Sequence, residues 1–192
     1  MNIFFLDIDP KKCAEYHCDK HVVKMLLEIV QLLFTAHHLL GTPKELLAYK
    51  PIKNINHPMC IWIRMNIHNY MYSVDLALCL AHEYTYRYSK IHSCEKHVRW
   101  LLENIPPNIF KEYSTNLEYL KTTKISENSI LNLTKIPLCM PDECKLGNTI
   151  KSYRKYYLVH KKYFAKWTSR NIPYWFHYSD ISNYFSDNNI IN

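Results

Sequence analysis

Two glycines, Gly41 and Gly147, are all that this 192-residue chain contains, against a usual share of about 7%. A chain so short of residues that tolerate left-handed backbone has few places to turn sharply. Its long stretches without Gly or Pro favour helices. The same shortage excludes chemistry. Neither G-x-G-x-x-G nor G-x-x-x-x-G-K-[ST] can be written with these two positions, so the glycine-rich phosphate cradles of Rossmann and P-loop enzymes are absent.

Helix signals divide what remains. Asp9-Pro10 offers an N-cap followed by Pro at the first helical position, and Gly41 with Pro43 beyond it offers the stop. These predict a long helix over about 10–40. Asn56-His57-Pro58 repeats the start signal and predicts a second over 58–90. A shorter helix over 94–103 ends at "NIPPN", and a third long one over 149–170 stops before Pro173. The opening "NIFFL" (2–6) is either a short strand or an extended anchor. Residues 104–147 are less regular, with "KISENS" and "MPDECKLG" as loops. The expected architecture is mainly α, a single helical domain over 1–178 with a loosely held tail over 179–192.

Composition sets the broad class. Apolar residues make up 48% and charged residues 21%, as in globular domains. The amino end has no basic run ahead of an apolar one, and no uninterrupted apolar stretch reaches the ~18 residues of a membrane span. Seven cysteines without a signal sequence are expected as free thiols in a reducing compartment, so no membrane association or secretion is expected. The formal net charge of +7 is concentrated: eight Lys and Arg and no acid lie between Cys144 and Ser179. A near-neutral body with one cationic tract points to phosphate-rich partners, DNA or nucleotides.

The first predicted helix carries the sharpest pattern. At about 100° per residue, His21, Lys24, Glu28, Gln31, Thr35 and His38 fall within about 60° of His17, and apolar residues fill well over half the circumference. The strip is either the solvated side or the lining of a cleft. Solvated strips are usually rich in Lys and Glu, whereas this one has three His, one Gln and one Thr, which favours the cleft. Its single Lys and Glu stand four apart, where each influences the other's proton.

Two chemistries suit that strip. Lys24, in a dry pocket, could act as an amine nucleophile that forms a Schiff base, with Glu28 and His21 handling protons, as in removal of a base from a sugar. Alternatively His17 and His21, at i and i+4, could share a divalent metal, with Glu28 as base or third ligand in hydrolysis of a phosphate ester. Arg64, one turn into the second helix among apolar neighbours, needs an anion, either Glu28 or a ligand phosphate. Glu83 and Arg87 form an i, i+4 pair expected only to stabilise their helix. Cys139 and Cys144, with His92, Cys94 and His97, could build a zinc knuckle, and "MPDEC" (140–144) could hold a divalent ion or cap the last helix.

On the last helix, aromatics and basic residues segregate. Tyr153, Tyr156, Tyr157, His160, Tyr163, Phe164 and Trp167 share about 120° of arc and are expected in the core. Lys151, Lys155, Lys162 and Lys166, with Arg170, form an outward face expected to hold phosphates.

"MNIFFLDIDP", "HCDKHVVKMLLE", "NHPMCIWIR", "EYTYRY", "MPDE" and "IPYWF" together resemble a family of proteins from tailed phages and giant DNA viruses, over most of the chain. The resemblance implies a viral origin, work in the infected host cytoplasm, and DNA repair of the kind ascribed to pyrimidine-dimer glycosylases. Where those enzymes use an N-terminal Thr amine, this chain has Asn2. The expected function is a viral enzyme acting on DNA or nucleotides by base-excision chemistry. The alternatives are metal-assisted hydrolysis and non-catalytic nucleic-acid binding.

Overall fold

A computed structural model describes residues 1–109 and 132–176. The chain is mainly helical: α1 (Pro10–Tyr16), α2 (Asp19–Leu39), α3 (Pro58–Met65), α4 (Ile67–Tyr88), α5 (Glu95–Glu103) and α6 (Thr149–His160). Three-residue 3-10 turns stand at Lys44–Leu46, Asp142–Cys144, Lys162–Phe164 and Tyr174–Phe176. The loop expected at "KISENS" and the tail over 179–192 lie outside the described residues.

Caps fall where the sequence places them, but two of the long helices are broken. The Asp9 carboxylate accepts from the Lys12 N–H at 2.9 Å and Pro10 opens α1. Gly41, at φ +89°, follows the last residues of α2, and a Cβ there would meet the Asn108 amide at 2.6 Å. Only glycine suits that position. Between α1 and α2, however, His17 and Cys18 are extended, so the expected 10–40 helix is two. Tertiary contacts hold the break: the Asp19 N–H donates to the Lys166 carbonyl at 2.8 Å, and the Asp19 carboxylate accepts from the Thr168 hydroxyl at 2.8 Å.

The 58–90 helix divides at Asn66 for a similar reason. That residue is extended and caps α4 by accepting from the Asn69 N–H at 2.8 Å. Asn69 then donates its side-chain amide to the Trp62 carbonyl at 2.8 Å, satisfying the end of α3. The predicted 149–170 helix stops at His160, and Lys161 leaves the helical region without any Gly or Pro to announce it.

α4 is the hub, packing against α1, α2, α3 and α5. α2 is long and apolar enough to cross a membrane by length and composition, yet 67% of that window is buried inside the fold. Residues 3–6 are buried and pair with no strand among the described residues, so they are an extended anchor. The Leu6 carbonyl accepts from Arg154 Nε at 2.8 Å and the Phe4 carbonyl from the Cys13 thiol at 3.2 Å, fastening the anchor to α6 and α1. Phe5 packs among Trp62, Tyr72 and Tyr153. All seven cysteines are free.

Candidate functional site

The polar strip of the opening helices meets three different environments. His17, in the break before α2, is fully buried; its Nδ1–H donates to the Cys13 carbonyl at 2.7 Å and its Nε2 is a buried atom without a partner. Burial pulls its pKa down to about 4. At the other end, Thr35 Oγ1 accepts from the Ile52 N–H at 3.0 Å, and His38 Nε2 donates to the Tyr49 carbonyl at 2.8 Å. There the strip serves as a backbone dock for the chain between α2 and α3. His37, off the strip, links Thr42 and Tyr70 at 2.9 Å each.

The middle of the strip faces open space, and Gln31 beyond it lines a second cleft of about 510 Å³. His21, Lys24 and Glu28 line a cleft of about 480 Å³, together with Asn2, Phe4, His57, Tyr156 and Lys161 among others. The elements that bring these together are α2, the amino-terminal anchor, the start of α3 and the end of α6. Glu28 is held there. Its Oε2 accepts from the Asn2 N–H at 2.8 Å, and its side chain is 12% exposed. Lys24 Nζ stands 3.5 Å from Glu28 Oε1 and its side chain is 69% exposed, so the amine is not in the dry surroundings expected for it.

His21 is a wall rather than a base. Its Nδ1 is hydrogen-bonded to the Tyr157 hydroxyl, and Phe4, Tyr157 and Phe164 surround its ring. Burial first, then neighbouring His17, Lys161 and Lys24, pulls its pKa down to about 3. At neutral pH it is an uncharged hydrogen-bonding group, far from the pKa near the working pH that suits proton transfer.

Three groups at the cleft were missed in the sequence. Lys161 places its ammonium 4.6 Å from the Tyr156 ring centroid and 6.0 Å from that of Phe4. Phe4 and Tyr156 themselves stack at 5.5 Å and 16°. The cationic tract and the "NIFFL" run both signalled these residues. What was invisible is that α6 ends at His160 and turns Lys161 back toward α2.

Other expected site residues lie elsewhere. Arg64 is not among the residues lining the cleft: its Nη1 donates to the Ile55 carbonyl at 2.7 Å and to Cys60 Sγ at 3.1 Å, so a carbonyl supplies the partner sought in an anion. Arg170 is taken by Glu83, at 2.8 Å, and lies over the Tyr86 ring at 4.0 Å. With α6 ending at His160, Lys162 and Lys166 are exposed but share no helical face with Lys151 and Lys155, which are half-buried and engaged in contacts. Tyr163, expected in the core, is 87% exposed.

His17 and His21 have ring centroids 6.4 Å apart, and His17 does not line the cleft. Among the described residues, the group of three potential metal ligands within 4.8 Å of one another is Glu143, Cys144 and His160. Cys139 lines the cleft and Cys94 meets the Tyr49 hydroxyl at 3.6 Å, so the expected knuckle is not assembled.

No protein-family model, curated protein or solved structure matches this chain.

Proposed function

We propose that the chain is a viral enzyme acting on DNA or a nucleotide at the α2 cleft, by base-excision chemistry with Lys24 as the amine and Glu28 as its proton partner. The observation that carries this reading is the meeting of an amine and an anchored carboxylate, 3.5 Å apart, on a cleft of about 480 Å³. Lys161 on the rim suits a phosphate, and the Tyr156 and Phe4 rings suit stacking of a base. The resemblance to proteins of phages and giant DNA viruses supports the same assignment.

The step needs a neutral amine. Glu28 Oε1, 3.5 Å from the Lys24 ammonium, takes a proton from it as the sugar-phosphate seats on the cleft. Lys24 Nζ then attacks C1′ of the sugar, and the base departs with the electrons of the glycosidic bond and takes up the proton that Glu28 carries. The attacking nitrogen then gives a proton to Glu28, which passes it to the ring oxygen as that oxygen leaves C1′, and a protonated imine results. On an abasic site, whose C1′ is an aldehyde in the open form, the same amine condenses with loss of water. His21, neutral, positions the substrate rather than moving protons.

Borohydride reduction during incubation with abasic-site DNA tests this. The expected result is a covalent protein–DNA adduct from the intact chain and none from Lys24→Ala. Absence of any adduct removes the amine route. If Lys24→Ala and Glu28→Gln then bind DNA as tightly as the unaltered chain while Lys162→Ala does not, a binding protein using the exposed lysines replaces the enzyme.

A further inference from the structure

A second cluster of chemistry-bearing side chains stands apart from the Lys24–Glu28 pair. Glu143 and Cys144 occupy the 3-10 turn at Asp142–Cys144, and His160 is the last residue of α6. One ligand atom from each lies within 4.8 Å of the others. The Glu143 Oε1–His160 Nε2 distance is 3.2 Å. Cys144 is fully buried beneath this pair, whereas the Glu143 side chain is 61% exposed. The His160 ring is oriented by Tyr156, with centroids 5.3 Å apart.

We propose that Glu143, Cys144 and His160 bind a divalent transition-metal ion of the zinc class. A surface Glu–His contact alone contributes little and has no use for a thiol. Adding the thiol completes a sulfur, nitrogen and oxygen set whose atoms lie within 4.8 Å of one another, the donor mixture that zinc accepts. Calcium and magnesium call for all-oxygen shells and do not fit a thiol and an imidazole. Soft and borderline donors select zinc-class ions over hard ones.

The exposed side of Glu143 leaves the fourth tetrahedral position to water. Binding converts the Cys144 thiol to thiolate and releases its proton to solvent. The ion would tie the 142–144 turn to the end of α6, one residue before Lys161. Occupancy therefore steadies the chain where it delivers Lys161 to the cleft.

Cobalt titration of the full chain under reducing conditions tests the site, because a thiolate on Co2+ gives a sulfur-to-metal charge-transfer band. The expected result is such a band in the unaltered chain, displaced by Zn2+, retained in Cys139→Ser and in Lys24→Ala, and lost in Cys144→Ser. Glu143→Gln at an exposed turn and His160→Gln provide variants that keep the buried thiol. Each is expected to weaken Co2+ by more than the roughly tenfold that loss of one outer-shell partner costs. No thiolate band in the unaltered chain, a band that survives Cys144→Ser, or unchanged affinity in either Glu143→Gln or His160→Gln overturns the assignment.

Discussion

Glu28 and Glu83 share one sequence signature and meet opposite fates. Each sits on a long helix with a basic residue four positions away, Lys24 on α2 and Arg87 on α4. Glu83 also lines a cavity, of about 200 Å³, but its carboxylate is satisfied: Arg87 Nε donates to it at 2.6 Å and Arg170 Nη2 at 2.8 Å, and its side chain is 3% exposed. Arg87 goes on to Asp19 at 2.9 Å and the Glu15 carbonyl at 3.0 Å with none of its side chain accessible. Glu28 instead has one backbone N–H and a solvent-washed lysine, and looks into a cleft. Spacing along a helix therefore does not separate an ion pair enclosed by the fold from one left open to a cleft. What separates them is whether the rest of the fold finishes satisfying the carboxylate.

That contrast can be broken by substitution, and the largest effect is expected on the closed side. Arg87→Ala removes the fully buried cation that joins Glu83 and Asp19, leaving Glu83 to Arg170 and Asp19 to Thr168, and removing one member of a buried pair costs roughly 3–5 kcal/mol. Urea denaturation is expected to show that loss; a cost under about 1 kcal/mol would mean the two carboxylates do not differ as described.

Acid is expected to strain the buried imidazoles. Burial lowers His37 from the usual 6.5 to about 4. Below pH 6.5 the unfolded chain takes up a proton that folded His37 refuses, so stability is full above that pH and falls as pH drops toward about 4. The slope in that window is about 1.4 kcal/mol per pH unit, so His37 alone accounts for roughly 3 kcal/mol across it. Denaturation midpoints measured from pH 7 to pH 4 check this, and His37→Gln is expected to flatten the slope.

Smaller still is Glu28→Gln, which keeps an acceptor for the Asn2 N–H. It is expected to change stability by no more than about 1 kcal/mol while cutting adduct formation on abasic DNA by on the order of 100-fold or more. The smallest expected effect on stability is that of Lys24→Ala. An exposed ion pair is worth about 0–1 kcal/mol, so thermal unfolding should hardly move even though trapping disappears. A marked loss of stability in either variant would place Glu28 with Glu83 on the structural side.

Much of this arrangement was legible in the sequence, and the reasons for the rest are physical. Asp9-Pro10, His57-Pro58 and Gly41 mark element ends because their own backbone and capping chemistry fix them. The breaks at His17–Cys18 and after His160 carry no such residue. At the first, distant groups engage Asp19: the Lys166 carbonyl accepts from its N–H and the Thr168 N–H donates to its carboxylate. Asn66 and Asn69 were readable as a cap in principle, since Asn favours that position. That His21, Lys24 and Glu28 line one cleft was legible from periodicity, whereas the exposure of Lys24 was not. Periodicity failed for His17 because an extended break shifts the helical phase. Arg64 and Arg170 could not be sorted by charge alone, since a carbonyl at Ile55 and a carboxylate at Glu83 are supplied by residues 9 and 87 positions away.

The most direct test of the central claim is to locate the bond formed when the intact chain is reduced with borohydride on abasic-site DNA. Proteolysis and mass spectrometry of the adduct are expected to find the sugar remnant on Lys24, with the yield collapsing in Glu28→Gln. A remnant on Lys161, on the amino-terminal nitrogen or on any other amine, or no remnant at all, would contradict the account.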